Sequence, residues 1–293
     1  MGSKRRLAFA TMNALRIITG PNLVGILAFA ALAVFFVIPL IFMVVVSFYQ
    51  PDPMAFYKVD FVWENYAKFF SSFYYNVSLR SLWSSALSAA IVVALAFPLV
   101  VFVSDLSRRV QMFWIILLLA LMCLSEVIIG FAWLILMSES AGVPAFLEWI
   151  GLWENPRSLS PSFGAMMIGL VFLGFSIVSL ILYPSVARRD RSVEEAAVTL
   201  GTPPALVFFK VLLPTFRTSL ISVTLTTFVY LLGVFVMPTM LGRPSDWTMT
   251  VIISDKALGD ANLPLGAALA VVMLIVTAII LALSALITRE RRT

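Results

Sequence analysis

The sequence predicts an all-α integral membrane protein with six transmembrane helices, and three observations predict it. Hydrophobic residues make up 61% of the 293 and charged residues only 12%, against about 45–50% and about 25% in a soluble domain. Six stretches carry no charge or a single one: residues 23–48, 81–104, 110–137, 158–187, 218–242 and 261–288. Each exceeds the roughly 20 residues needed to cross the hydrocarbon layer. With their connections they use nearly the whole chain, so no sizeable soluble domain is left over.

Composition also excludes chemistry. Histidine is absent and Cys123 is the single cysteine. Catalysis by Ser-His-Asp or Cys-His, His-ligated zinc and intrachain disulfides are therefore ruled out. No glycine is followed by lysine, so the chain has no phosphate-cradling GxxxxGK[ST] loop. The formal charge of +5 is a matter of placement rather than of nucleic-acid binding. Fourteen of the 20 Lys and Arg fall on one side of the spans: near the N-terminus (Lys4 to Arg16), at Arg108 and Arg109, between 188 and 217, and at the C-terminus. By the positive-inside rule that side is cytoplasmic and holds both termini.

Along the chain, the first span is longer than a signal-peptide core and is expected to be a retained anchor. The outer segment 49–75 is aromatic. Trp63, Tyr66, Phe69, Phe70 and Phe73 recur near helical spacing and predict a short interfacial helix. It is either part of an aromatic belt or a docking surface for an outside partner. Pro39, Pro98, Pro184 and Pro238 are expected to kink their spans. Glu126 is the charge inside the third span. Counted from Val110 at about 1.5 Å per residue it lies roughly 24 Å along the helix. Met122, Cys123, Ile129, Gly130 and Trp133 are placed on its face by three- and four-residue spacing. A carboxylate there costs on the order of 2.5–3.5 kcal/mol and should not face lipid. It either meets a cationic solute, with Gly130 leaving room and Trp133 offering a π face, or bonds a neighbouring helix.

The inner loop 188–217 is the most specialised segment. Ser192 and Glu195 have capping-box spacing and predict a helix starting at Ser192 as N-cap and running through Leu200. Gly201 supplies a left-handed stop. Thr202 is expected to cap a second short helix with Pro203 at its first position, and Pro214 leads toward the next span. A helix this short is marginal alone in water. Its apolar Ala196, Ala197 and Leu200 must pack either on a cytoplasmic partner or back on the bundle.

Within this loop Glu195-Ala196-Ala197, three residues, Gly201, nine residues, Val211, one residue and Leu213-Pro214 resemble the EAA motif of bacterial ABC importer permeases. All spacings are kept, and Val211 stands where that motif has Ile. Residues 125–133, ending in Phe131-Ala132-Trp133, and residues 262–268 are similar to segments of the polyamine-type subfamily, although Ile129 stands where the subfamily has Arg. The resemblance implies a type-1 ABC importer permease fold: a cytoplasmic N-terminus (1–22), a first helix (23–48), a periplasmic interfacial segment (49–74), a transmembrane domain (75–286) with coupling loop 188–217, and a cytoplasmic C-terminus (287–293). It implies a bacterial inner-membrane subunit that is not itself an enzyme and binds no cofactor, ATP and Mg being held by partner subunits. Its partners would be an ABC ATPase dimer, a second and different permease chain, a periplasmic binding protein and membrane lipid. Glu194, Glu195, Ala196, Ala197, Leu200, Gly201, Val211, Leu213 and Pro214 would couple to the ATPase. Glu126, Gly130 and Trp133 are candidates for the substrate path. The solute would be polyamine-like or another small charged organic molecule. Ferric iron, thiamine, opines and phosphonates are the family's other substrates, and an ion-coupled secondary transporter is the rival class.

Overall fold

The computed structural model describes residues 21–52 and 55–290, with side chains from 25 to 284. The expected terminal arms fall largely outside the described residues, and with them Lys4, Arg5, Arg6, Arg16, Arg291 and Arg292. Among the described residues five helices are long and apolar enough to cross a membrane, and a sharply bent pair makes a sixth.

The first, α1 (Pro21–Val46), contains Pro39. Phe29 and Phe35 on it are 75% and 81% exposed, as suits a lipid-facing helix. The outer segment holds more than the short helix expected there. It opens with an antiparallel hairpin of β1 (Tyr49–Asp52) and β2 (Phe56–Phe61). Only Glu64–Phe69 forms the short helix α2. The reason is period-two patterning: in Tyr57-Lys58-Val59-Asp60-Phe61 Tyr, Val and Phe fall on one face of the strand and Lys and Asp on the other. Asn65, almost fully buried, pins the unit by donating from Nδ2 to the carbonyls of Ser47 and Tyr49. Phe48 stacks on Phe61 at 5.1 Å and meets Trp63 edge-on.

The second span, α3 (Ser72–Asp105), starts nine residues before the expected 81 and contains Pro98. Its buried face includes Ser81, Ser84, Ser85, Ser88 and Ala89, small residues that let a neighbour approach closely. That neighbour is the fourth span, α7 (Phe163–Ala187), which contributes Gly169, Gly174 and Ser176. A Cβ on Gly174 would lie 3.0 Å from a Val92 methyl.

The third span is not one helix. It consists of α4 (Arg108–Cys123) and α5 (Glu126–Leu136), bent by 99°. Leu124 and Ser125 are extended, and the Ser125 hydroxyl accepts the Val127 N–H, capping α5. A short outer helix α6 (Val143–Trp149) follows.

On the other side of α7 lies α8 (Ser192–Thr199). Next, α9 (Pro204–Val207) does not stop before Pro214 as expected. It passes through a π-turn, Phe208–Leu212, into α10 (Leu213–Gly233), giving 30 continuous helical residues, Pro204–Gly233. Pro214 sits in the first turn of α10, and the wider turn before it relieves the carbonyl clash that a proline ring causes in a regular helix. The fifth span therefore ends at Gly233, short of the expected 242. The chain breaks at Val234 and Phe235, and Pro238 lies in a separate short helix, α11 (Val236–Leu241), rather than kinking a span. After α12 (Met249–Ser254) comes the last span, α13 (Leu263–Glu290), packed on α1, α2 and α12. The core forms two clusters: one around Met166, Leu170, Leu231 and Met237 that also takes in α12 and the last span, the other around Val92, Phe97, Val178 and Leu182 between spans two, four and five.

Candidate functional site

The inner loop presents α8 on the outside of the bundle. Its start differs from the expected capping box: Arg191 is the N-cap and Ser192 is already helical. The acceptor at this end is Asp190, whose Oδ1 takes the Ser192 N–H at 2.9 Å. Those bonds from the Ser192 backbone and side chain hold the Asp190 carboxyl below the usual carboxylate range. The end of α8 is as expected. Gly201 has φ +85, its N–H reaches the Val198 carbonyl, and the Thr202 N–H reaches that of Ala197. These two bonds form a Schellman stop, which needs a left-handed residue at this position.

Val193, Ala196, Ala197 and Leu200 fall at i, i+3, i+4 and i+7 and form one apolar stripe. Ala197 is half-buried, whereas Val193 and Ala196 are exposed and Leu200 is 87% exposed. The bundle thus leaves most of the stripe uncovered. Glu195 is exposed beside it. Glu194 instead turns inward, its Oε1 accepting from Arg189 Nε at 2.7 Å. Val211 lies in the π-turn, half-buried, and Leu213 and Pro214 are exposed at the start of α10.

The Arg189 side chain is 5% exposed and joins three elements. Nη2 bonds Asp105 Oδ1 at 2.6 Å, and Nη1 donates to the Ser104 hydroxyl and the Val186 carbonyl. Burial works against its charge, but the hydrogen bonds to Glu194 and Asp105 outweigh burial and raise its pKa above the ordinary arginine value. Arg191 Nη2 reaches the same Asp105 oxygen and the Ser104 carbonyl. From the other flank Gln111 Nε2 donates to the carbonyls of Ser104 and Leu106, while its Oε1 accepts from Tyr183.

The second region is the break in span three. Glu126 opens α5, so Met122 and Cys123 belong to a different helix and do not share its helical face; Ile129, Gly130 and Trp133 do. Glu126 Oε1 accepts from the Tyr230 hydroxyl at 3.4 Å. Both line a cavity of about 180 Å³, together with Leu121, Met122, Phe172 and Ser176. Gly130 is buried, and a Cβ there would lie 2.6 Å from Met240 Sδ. Trp133 meets Phe172 edge-on at 5.6 Å. Tyr230 and Ser176 did not stand out in the sequence, because isolated hydroxyls in apolar spans carry no mark of which helix they will meet. Among the described residues no group of His, Cys, Asp and Glu could hold a metal ion.

No family profile matches the chain. It is 24% identical over 260 residues to the spermidine/putrescine transport system permease protein PotB of Salmonella typhimurium, covering 89% of this chain and 91% of that protein. The Escherichia coli PotB is 24% identical over 250 residues, or 85% and 91% of the two chains. The inner membrane ABC transporter permease protein YdcU of Escherichia coli is 25% identical over 224 residues, 71% and 70% of the chains. Among solved structures, a chain of a bacterial ABC transporter that imports alginate superposes with a TM-score of 0.71 at 17% identity, over 98% of this chain and 96% of that one. A second alginate transporter structure, in complex with its pentasaccharide-bound periplasmic protein, gives 0.73 at 16% with the same coverage.

Proposed function

We infer that this chain, a permease of the ABC importer type rather than an enzyme, forms half of a translocation pathway for a small solute handed over by a periplasmic binding protein. It pairs with a second, different permease chain and couples to an ATPase dimer through α8, with ATP and Mg held by the ATPases. Both termini lie in the cytoplasm of a bacterial inner-membrane subunit. The observation that carries this reading is α8 itself: a helix of 8 residues with EAA spacing, a left-handed glycine stop and an uncovered apolar stripe. Such a helix is marginal by itself, and an ATPase groove over Val193, Ala196 and Leu200 would complete it. Glu195, Ala196, Ala197, Leu200 and Gly201 face or flank that groove. Glu194 supports it from behind, and Val211, Leu213 and Pro214 set the exit of the loop into span five.

A polyamine-like cation is the solute that fits best. The PotB relatives carry that substrate in their names, and the Glu126 carboxylate lines a cavity with Tyr230 at the break in span three. Trp133 contributes by packing on Phe172 in its wall, and Gly130 lies one turn along α5 from Glu126, against Met240. Ligand identification on the binding protein separates a polyamine from iron, thiamine, an opine or a phosphonate.

Gly201→Asp tests the coupling assignment. A Cβ at Gly201 meets nothing within 4 Å, and Asp tolerates left-handed backbone better than most residues. The fold should therefore survive while ATPase copurification and uptake fall. Unchanged assembly and uptake would remove α8 from the interface.

A further inference from the structure

Arg189 stands one residue before Asp190, which accepts the first N–H of α8, yet its guanidinium is buried behind the helix rather than displayed on it. Four of its five N–H groups have acceptors: Glu194 on α8, Asp105 and Ser104 at the end of α3, and the Val186 carbonyl at the end of α7. The same end of α3 is held from α4 by Gln111, which bonds the carbonyls of Ser104 and of Leu106 just past the helix and also takes the Tyr183 hydroxyl of α7. Spans two, three and four and α8 thus meet in one polar knot. Arg189 is the member that bonds α8 and two spans at once.

We propose that Arg189 is the positioning residue that locks α8 to the cytoplasmic ends of spans two and four, so that displacement of α8 moves both spans as a unit. This rests on the reading of α8 as the ATPase-docking helix, and Arg189 itself stays clear of the ATPase. The planar fork is essential: it addresses Glu194 through one edge and Asp105 through another. A lysine keeps the charge but places three donors at a single point and cannot span both acids and the Val186 carbonyl. Without the lock α8 still carries its apolar stripe and still binds. Its motion is then lost in the loop instead of reaching α3 and α7.

Two measurements on the full chain test the lock. In proteoliposomes holding both permeases, the ATPase and the binding protein, Arg189→Ala and Arg189→Lys should leave ATPase copurification intact. Solute imported per ATP hydrolysed should fall by about tenfold, the order of a typical intersite coupling. Arg188→Ala, which alters an exposed neighbour outside the knot, should not change the ratio. Separately, spin labels at Val198→Cys and Phe102→Cys in a Cys123→Ser background report the spacing of α8 from α3 in the purified permease, with no ATPase needed. Both Arg189 variants should broaden that distance distribution. A parental import ratio in Arg189→Ala, or an unchanged distribution, overturns the proposal. If Gly201→Asp leaves assembly intact while Arg189→Ala broadens the distances, the docking reading falls and the mechanical lock stands.

Discussion

Glu126 carries two meanings that a conservative change separates. As the first residue of α5 its carboxylate sits at the positive end of a helix, where an acid is favoured by typically 0.3–1 kcal/mol. That is a structural reason for an acid at this depth, independent of any solute. Tyr230 adds a hydroxyl donor. Glu126→Gln keeps size and hydrogen bonding but removes the charge. A transport role predicts that uptake of a cationic solute and substrate-stimulated ATP hydrolysis fall together by about tenfold, equivalent to about 1.4 kcal/mol, while thermal stability shifts little. Parental uptake would leave Glu126 as a helix-start residue alone. Gly130 and Gly169 predict a different outcome. At Gly169 a Cβ would lie 2.8 Å from Leu241 Cδ1 and 2.9 Å from Met237 Sδ, both on fully buried side chains. Gly169→Ala should cost about 1–3 kcal/mol by overpacking. Gly130→Ala should cost less, since the atom in its way is the flexible sulfur of Met240, which is not fully buried. Thermal unfolding in detergent measures both.

The helical elements divide into those that hydropathy reveals and those it conceals. Six apolar runs were legible because crossing a membrane requires length and composition, which add up along the chain. The break in span three was not, because the run from Val110 to Met137 has no internal proline and its one glycine, Gly130, lies beyond the break. Its sole mark is Ser125-Glu126, a helix-start signal that reads as an isolated polar pair in an apolar stretch. The hairpin was concealed by Trp63, Tyr66, Phe69 and Phe73, whose helical spacing drew attention from the alternation just before them. In the inner loop the Gly201 stop was legible, since backbone sterics decide it locally. The Arg189 knot was not, because its acceptors on α3 lie 84 and 85 residues away in sequence. Ser125→Ala tests the break at this scale. Loss of the bond to the Val127 N–H should destabilise α5 by about 0.5–2 kcal/mol, seen as faster amide exchange in its first turn without loss of the remaining spans. Unchanged exchange would mean the bend is imposed by packing on α11 and α7 instead.

On the proposed reading the whole molecule is a passive half of a machine, and this has a direct assay. Purified alone, the chain should hydrolyse no ATP. Activity should appear with the ATPase and rise with loaded binding protein, and hydrolysis by the isolated chain would contradict the assignment. Span three adds a requirement on the molecule's surroundings. From Arg108, α4 has 16 residues and rises about 24 Å, less than the roughly 30 Å hydrocarbon thickness. Its end therefore lies inside that layer whichever way the chain faces. The last-turn carbonyls of a helix lack helical donors, and in hydrocarbon each costs several kcal/mol unless protein or water satisfies it. On this chain Met122 and Leu124 are about half exposed, so the broken end is open on one side. A lone copy would draw water to that depth and locally wet the bilayer. Continuity of the membrane's permeability barrier then depends on a neighbouring subunit or on a pathway closed over the break.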